Sequence, residues 1–208
     1  MTAAFWDERY RSSSSVWSGE PNPQLVAEVS ELAPGNALDI GSGEGADAMW
    51  LAERGWRVTA VDISSVALER SSALAAKAGR DIAGRIEWRQ ADILEWSPEE
   101  VAYDLVSAQF MQLPKDARDP VFRRLAAAVA PGGSFLVVGH HPSDLETTVR
   151  RPRGSGLLYT AEDVAALLDL ARWSVIVNAS RERRVIDGEG RSVTVHDSVL
   201  RAVSRPKH

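Results

Sequence analysis

Short apolar runs alternate along the chain with stretches whose apolar residues recur every three or four positions, and glycine or proline stands at most junctions. Residues 37–40 (ALDI) are apolar and run straight into glycines, and residues 57–63 (RVTAVDI) are rich in β-branched side chains and reach an acid. Residues 85–93 alternate in polarity, while residues 103–110 (YDLVSAQF) and 134–139 (SFLVVG) have the continuous apolar character of strands covered on both faces. Between them, helical periodicity predicts helices over 46–54, 65–78 and 120–130, closed by Gly55, Gly79 and Pro131-Gly132-Gly133. Strands alternating with helices of about ten residues build βαβ units and a parallel sheet. The tail is different. A helix over 161–170 precedes WSVIVNASRERRVI, a turn at 187–190 and SVTVHDSVLRAVSR, a terminal hairpin whose last strand must run antiparallel to its neighbour. Ser12 to Ser15 form the only low-complexity patch and predict a mobile joint near the N-terminus.

Composition narrows the class. A chain of 208 residues with 44% hydrophobic and 25% charged residues has the makeup of one globular domain. With no cysteine, it has no disulfide framework, thiolate zinc site or cysteine nucleophile. Twenty-four Lys and Arg against 29 Asp and Glu leave a net charge of −5, which gives no electrostatic footprint for nucleic acid. The N-terminus has no basic segment followed by an apolar run, and no stretch nears the roughly 20 apolar residues that span a bilayer. The expected setting is cytoplasmic, with no membrane partner.

The most informative segment is LDIGSGEGADAMWLAERG. A strand enters Gly41-Ser42-Gly43-Glu44-Gly45 and a helix begins at once, which suits a sharp turn approached closely by a ligand. Gly41-x-Gly43-x-x-Ala46 also fits a relaxed dinucleotide fingerprint. However, Asp39 before the glycines and Glu44 within them would repel a pyrophosphate, whereas Asp39 suits the ammonium of a methionine group. Asp62, about twenty residues past the loop, stands where a carboxylate binds ribose hydroxyls. Asp92, followed by Ile93, can accept from an adenine amino group while the isoleucine packs on the ring.

The series LDIGSGEG, VTAVDIS, QADILEW, YDLVSAQF and LAPGGSFLVVG resembles the class I S-adenosylmethionine-dependent methyltransferases, from about Leu38 to Val138. The resemblance implies an α/β, Rossmann-like three-layer sandwich with a seven-stranded, mostly parallel sheet and the last strand antiparallel. It implies S-adenosyl-L-methionine as cofactor, with Gly41, Gly43 and Gly45 under its methionine portion, Asp62 on the ribose and Asp92 on the adenine. The set expected to contact the cofactor is Trp17, Asp39, Gly41, Gly43, Gly45, Asp62, Ile63, Asp92, Ile93 and Gln109. The whole of residues 1–208 reads as one domain: an arm over 1–24, a cofactor-binding half over 25–140, and a substrate-side loop, helix and hairpin over 141–208. The arm also resembles the start of small-molecule methyltransferases of the tellurite-resistance and thiopurine type, in which such a segment closes over the site.

Ligands of open α/β sheets lie beyond the carboxyl ends of the strands, which places a small-molecule acceptor near the ends of YDLVSAQF and SFLVVG. Trp17 either anchors the arm or lies over the sulfonium by cation–π contact. His140 and His141 end the fifth strand. Adjacent strand residues point to opposite faces, so one of them can be a general base while the other caps the loop. His196 and Asp197 return to the same edge, where a plain hairpin role is the simpler reading. Phe110 and Gln112 can line the pocket beside Gln109. Arg150, Arg151 and Arg153, with Gly154 and Gly156 as hinges, predict a lid favouring an anionic or hydroxyl-rich acceptor. The histidine spacing suggests no metal site. The histidine pair leans towards O-methylation of a sugar, phenol or similar metabolite. The alternatives are detoxifying methylation of a thiolate or tellurite, a non-catalytic cofactor-binding protein, and a nicotinamide-dependent oxidoreductase, and a homodimer is left open.

Overall fold

The computed structural model describes residues 2–151, 154 and 156–206. In chain order the elements are α1 (Ala3–Arg11), α2 (Pro23–Val29), β1 (Asn36–Ile40), α3 (Ala46–Glu53), β2 (Arg57–Asp62), α4 (Ser65–Ala78), α5 (Arg80–Ala83), β3 (Ile86–Gln90), β4 (Tyr103–Gln109), α6 (Lys115–Ala127), β5 (Val129–His140), α7 (Ala161–Ala165), β6 (Trp173–Ile186) and β7 (Ser192–Ser204). The seven strands form one sheet in the order β3-β2-β1-β4-β5-β7-β6. β7 runs antiparallel to both β5 and β6, and the pairings among β1 to β5 are parallel. The architecture is the one the terminal hairpin and the βαβ pattern predicted.

Two cores lie on opposite faces of the sheet, because alternate strand residues point to opposite sides. Leu38, Ile40, Phe135 and Val137 pack against Phe122 and Leu125 of α6 and Val164 of α7. Ala37, Leu136 and Val138 pack against Leu25 and Val29 of α2 and Leu51 of α3. Strands covered on both sides read as unbroken apolar runs, which is why β1, β4 and β5 were legible.

Some boundaries differ from the pattern. The helix expected from Pro120 starts five residues earlier, at Lys115, with Pro120 inside it. Residues 115–119 are mostly charged and carry no apolar periodicity. They are held instead by ion pairs of Asp119 with Lys115 at 2.6 Å and with Arg118 at 2.7 Å. Pro120 removes one N–H from an exposed face of the helix, where the unpaired carbonyl can meet water. The helix ends at Ala127, and Pro131-Gly132-Gly133 lies within the irregular start of β5. β3 stops at Gln90, so Asp92 and Ile93 stand in the turn beyond it. α7 ends at Ala165, after which turns lead to β6. The joint at Ser12 to Ser15 is organised by local bonds, from the Ser13 hydroxyl to the Ser15 carbonyl and from the Ser15 hydroxyl to the Trp17 carbonyl, both 2.6 Å.

Tyr159, buried against α6, lies so near the β5 backbone that a methyl group at Gly139 would come within 2.5 Å of its ring. Gly139→Ala is therefore expected to lower the unfolding free energy by about 1–3 kcal/mol in urea titration, as overpacked core substitutions do.

Candidate active site

The loop from β1 to α3 owes its shape to its glycines. Gly41, Gly43 and Gly45 all have positive φ, at +71°, +53° and +81°. Side chains are excluded on packing grounds as well: a Cβ on Gly45 would lie 2.6 Å from the Trp88 ring, and one on Gly43 3.0 Å from the Tyr10 hydroxyl. The Gly41 and Ser42 amides bond to the Val61 carbonyl, tying the loop to the end of β2.

Three carboxylates converge beneath this loop. Asp39 is 2% exposed, and its Oδ2 has no hydrogen-bond partner among the described residues. Burial, followed by the nearby Asp47 and Asp62 charges, pushes its pKa well above the ordinary range. Asp47, in the first turn of α3, accepts from the Asn22 amide at 2.6 Å, and burial raises it to about 6. Asp62 is raised mainly by burial, against the bonds it accepts from the Gly43 and Ser64 amides at 2.8 Å each. Such a cluster is a site of concentrated negative potential, suited to a cation.

The arm is docked on the loop by side chains that periodicity does not register. The Trp17 indole N–H donates to the Tyr10 hydroxyl at 3.0 Å, directly above Gly43. Burial raises the Tyr10 phenol to about 12, so it stays protonated. Glu44, the acid inside the glycine loop, accepts from the Val16 and Trp17 amides and pairs with Arg70 at 3.2 Å. Asp7 of α1 accepts from the Ser64 hydroxyl at 2.6 Å, at the N-cap of α4. Asn22 also donates to Gln109 at 3.0 Å, joining the arm to the end of β4. Trp17 itself is half exposed, with the Arg9 guanidinium 5.4 Å from its ring centroid, so a cation already lies over its ring.

On the other side of Asp62, a cleft of about 520 Å³ is lined by Thr2 and Ala3 of the arm and by Ile63, Gln90, Ala91, Asp92 and Leu94. Asp92 has one oxygen engaged by the Leu94 amide at 2.9 Å. Ile93 packs against the core on the α6 side. Arg124 of α6 donates to the Ile93 carbonyl at 2.5 Å and holds this turn in place.

At the ends of β4 and β5 the two adjacent histidines part company. His141 caps a short 3₁₀ turn over Pro142–Glu146, accepting from the Ser143 amide through Nδ1 at 3.2 Å. His140 stacks on Phe110, ring centroids 4.4 Å apart, and its buried Nδ1 has no partner among the described residues. Burial, and then the Arg151 and Arg183 charges, lower the His140 pKa to about 4, so it is neutral at physiological pH. Phe110 holds φ at +50°, an uncommon value for an aromatic residue and a mark of a constrained position. The loop after β5 is pinned: buried Asp144 pairs with Arg151 at 2.8 Å and accepts from the His196 amide at 2.8 Å. Arg151 is thus engaged, Arg150 is exposed, and Arg153 lies outside the described residues. Asp197 is fully buried and binds Arg183 and Gln24, which gives it a charge-pairing role the hairpin reading missed. Among the described residues, no group of three or more histidines and acids could hold a metal ion.

A family model described as a methyltransferase domain matches residues 37–133, spanning the loop, Asp62 and Asp92. Over those residues the chain is similar to the class I S-adenosylmethionine-dependent methyltransferases. S-adenosyl-L-methionine is the cofactor of that family. Among curated relatives, this chain is 28% identical over 59% of its length to 54% of the 2-heptyl-1-hydroxyquinolin-4(1H)-one methyltransferase of Mycobacteroides abscessus. It is 32% identical over 64% of its length to 48% of the trans-aconitate 2-methyltransferase of an Acidovorax species. The chain spans about half the length of these relatives. Among solved structures, one determined for the conversion of a disulfide bond into a thioacetal group during echinomycin biosynthesis matches with TM-score 0.76 and 21% identity, over 99% of this chain and 93% of that one. TehB from Haemophilus influenzae matches with TM-score 0.71 and 17% identity, over 99% of this chain and 67% of that one.

Tyr10, one of the arm aromatics, anchors the arm on the loop, whereas Asn22, Asp47 and Arg124 carry no local signal and acquire meaning only when the arm and helices fold back. Asp47 followed an obvious motif and sits in a first helical turn, where an acid is ordinary.

A raised carboxyl pKa means that the folded state holds its proton more tightly than the unfolded chain. The resulting stability is present below the ordinary Asp range and is lost as pH rises towards about 6 for Asp47. Asp47→Asn is accordingly expected to stabilise the cofactor-free protein at pH 7.5 by about 1 kcal/mol, and to have no stabilising effect near pH 4. Urea titrations at the two pH values measure the difference.

Proposed function

We propose that this domain transfers the methyl group of S-adenosylmethionine to a small molecule held at the ends of β4 and β5. The observation that carries the reading is the buried, unpartnered Asp39 carboxylate beneath a loop whose three glycines all have positive φ. A buried charge without a partner is costly, and the ammonium of the cofactor's methionine portion would neutralise it. Each Asp62 oxygen accepts one backbone N–H and keeps a lone-pair direction for a ribose hydroxyl. Ile63, Asp92 and Leu94 line the adjacent cleft, which suits the adenine, while Ile93 faces the core. Gln109 and Asn22 bound the site between cofactor and acceptor, and Trp17 with Tyr10 covers Gly43.

The cofactor supplies a methyl group activated on a sulfonium, so the protein's part is to align the acceptor and provide for its proton. With the cofactor bound, its sulfonium would act as the leaving group when the acceptor takes the methyl, and this chain's residues would hold the acceptor in line and take its proton. We assign the hydroxyl proton to His140, because His141 is committed to its cap and the His140 Nδ1 has no partner among the described residues. With its pKa at about 4, His140 is a weak base and draws a proton only from an acidic hydroxyl. Acidic hydroxyls and acceptors that ionise unaided, a thiolate among them, therefore suit the site better than a sugar alcohol. The names of the relatives, a hydroxyquinolone and a tricarboxylate methyltransferase, agree with that preference.

Calorimetry should give micromolar binding of S-adenosylhomocysteine, with affinity lost by at least tenfold in Asp62→Ala. Absence of binding by the unaltered protein would overturn the reading. With an acidic-hydroxyl acceptor, His140→Gln is expected to lower kcat about a hundredfold while the KM for the cofactor holds. His141→Ala should leave kcat within about threefold and cost about 1 kcal/mol of stability, as loss of a cap does. Equal kcat losses in the two variants would contradict the division of roles.

A further inference from the structure

Beyond the cofactor pocket, one cation on the acceptor side is only half used. Arg183 of β6 directs its Nε at both oxygens of buried Asp197, 2.9 Å from each. Its two terminal nitrogens have no hydrogen-bond partner among the described residues, and the side chain is 30% exposed. The neighbouring cations are more fully engaged: Arg181 binds Gln24 and Glu28, and Arg151 binds Asp144 through two nitrogens. Asp197 pairs in register with His140 on one side and Arg181 on the other, so Arg183 stands two residues further along the same face of the hairpin. Its guanidinium carbon is 5.8 Å from the Phe110 ring centroid, and Phe110 stacks on His140.

The local chemistry is therefore a flat aromatic surface, an imidazole nitrogen without a partner and a guanidinium edge with spare donors. A guanidinium fixed through Nε has lost most of its rotational freedom, and its remaining N–H groups form a fork that matches a carboxylate or an oxyanion. We propose that Arg183 is the specificity-determining residue of the acceptor site, binding the anionic group of a flat, conjugated acceptor that lies against Phe110 and His140. The inference rests on the reading of this site as a methyl-transfer site, and it adds the charge and shape of the molecule that enters. Arg183 belongs to the terminal hairpin, outside the matched family model, so the cofactor-binding half and the acceptor-selecting group come from different parts of the chain.

The test uses the full chain saturated with S-adenosylhomocysteine and two probes of equal shape, salicylate and salicylamide, titrated by ligand-observed NMR. Salicylate is expected to bind at least fivefold more tightly than the amide. Arg183→Lys, which keeps a cation beside Asp197 and so guards the fold, should abolish that preference without moving the S-adenosylhomocysteine Kd or the melting temperature. Arg183→Met should do the same to the probes at some loss of stability, because Asp197 then keeps only Gln24. Equal binding of the two probes, failure of both to bind, or a salicylate preference that survives in Arg183→Lys would overturn the proposal while leaving the cofactor reading intact. Failure of S-adenosylhomocysteine to bind the unaltered chain would instead remove the reading on which the proposal rests.

Discussion

A carboxylate taken out of water without a partner is among the more expensive things a fold can contain, and this fold places one at its centre. Asp39 is the penultimate residue of β1, in the parallel part of the sheet, where main-chain pairing on both sides leaves the side chain nowhere to turn. Asp47 and Asp62 add charge rather than relieve it. The arrangement persists because the surrounding structure is over-determined: β1 is paired on both flanks, the glycine loop is hung from Val61, and α3 starts immediately beyond. In the proposed cofactor complex an ammonium beside Asp39 would offset that cost.

The arm extends the same logic. An acid inside a glycine loop would be a defect in an anion site, yet Glu44 here is a docking point, receiving two arm amides and the Arg70 guanidinium. Asp7 reaches Ser64 at the cap of α4, and Asn22 links Asp47 to Gln109. The arm is thus fastened to the glycine loop, to the N-cap of α4 and to the end of β4, and its order is coupled to theirs. At the far edge, the terminal hairpin returns Asp197 and Arg183 towards His140 and Phe110, so chain reversal brings charge to the proposed acceptor side.

How much of this was legible follows from period and burial. Strands covered on both faces announce themselves as apolar runs, and glycines at alternate positions before a helix mark the loop, so the sheet, its reversed strand, Asp39 and Asp62 could be read directly. Charged residues 115–119 concealed the first turn and a half of α6, because ion pairs rather than apolar spacing hold it. The roles of Asp47, Tyr10 and Arg183 were hidden for a related reason: each depends on a partner 7 to 25 residues away, which no local pattern encodes. Strand alternation sets the two histidines on opposite faces, and the bond from the Ser143 amide that commits His141 to a cap is a contact no sequence pattern encodes.

The account stands or falls on Asp39, and the direct measurement is a crystal structure of the chain with S-adenosylhomocysteine bound. The account predicts the homocysteine ammonium within hydrogen-bond distance of the Asp39 carboxylate, directly or through one water, with the ribose on Asp62. A complex in which the nucleoside lies away from the glycine loop, or in which Asp39 remains without a partner, would contradict it.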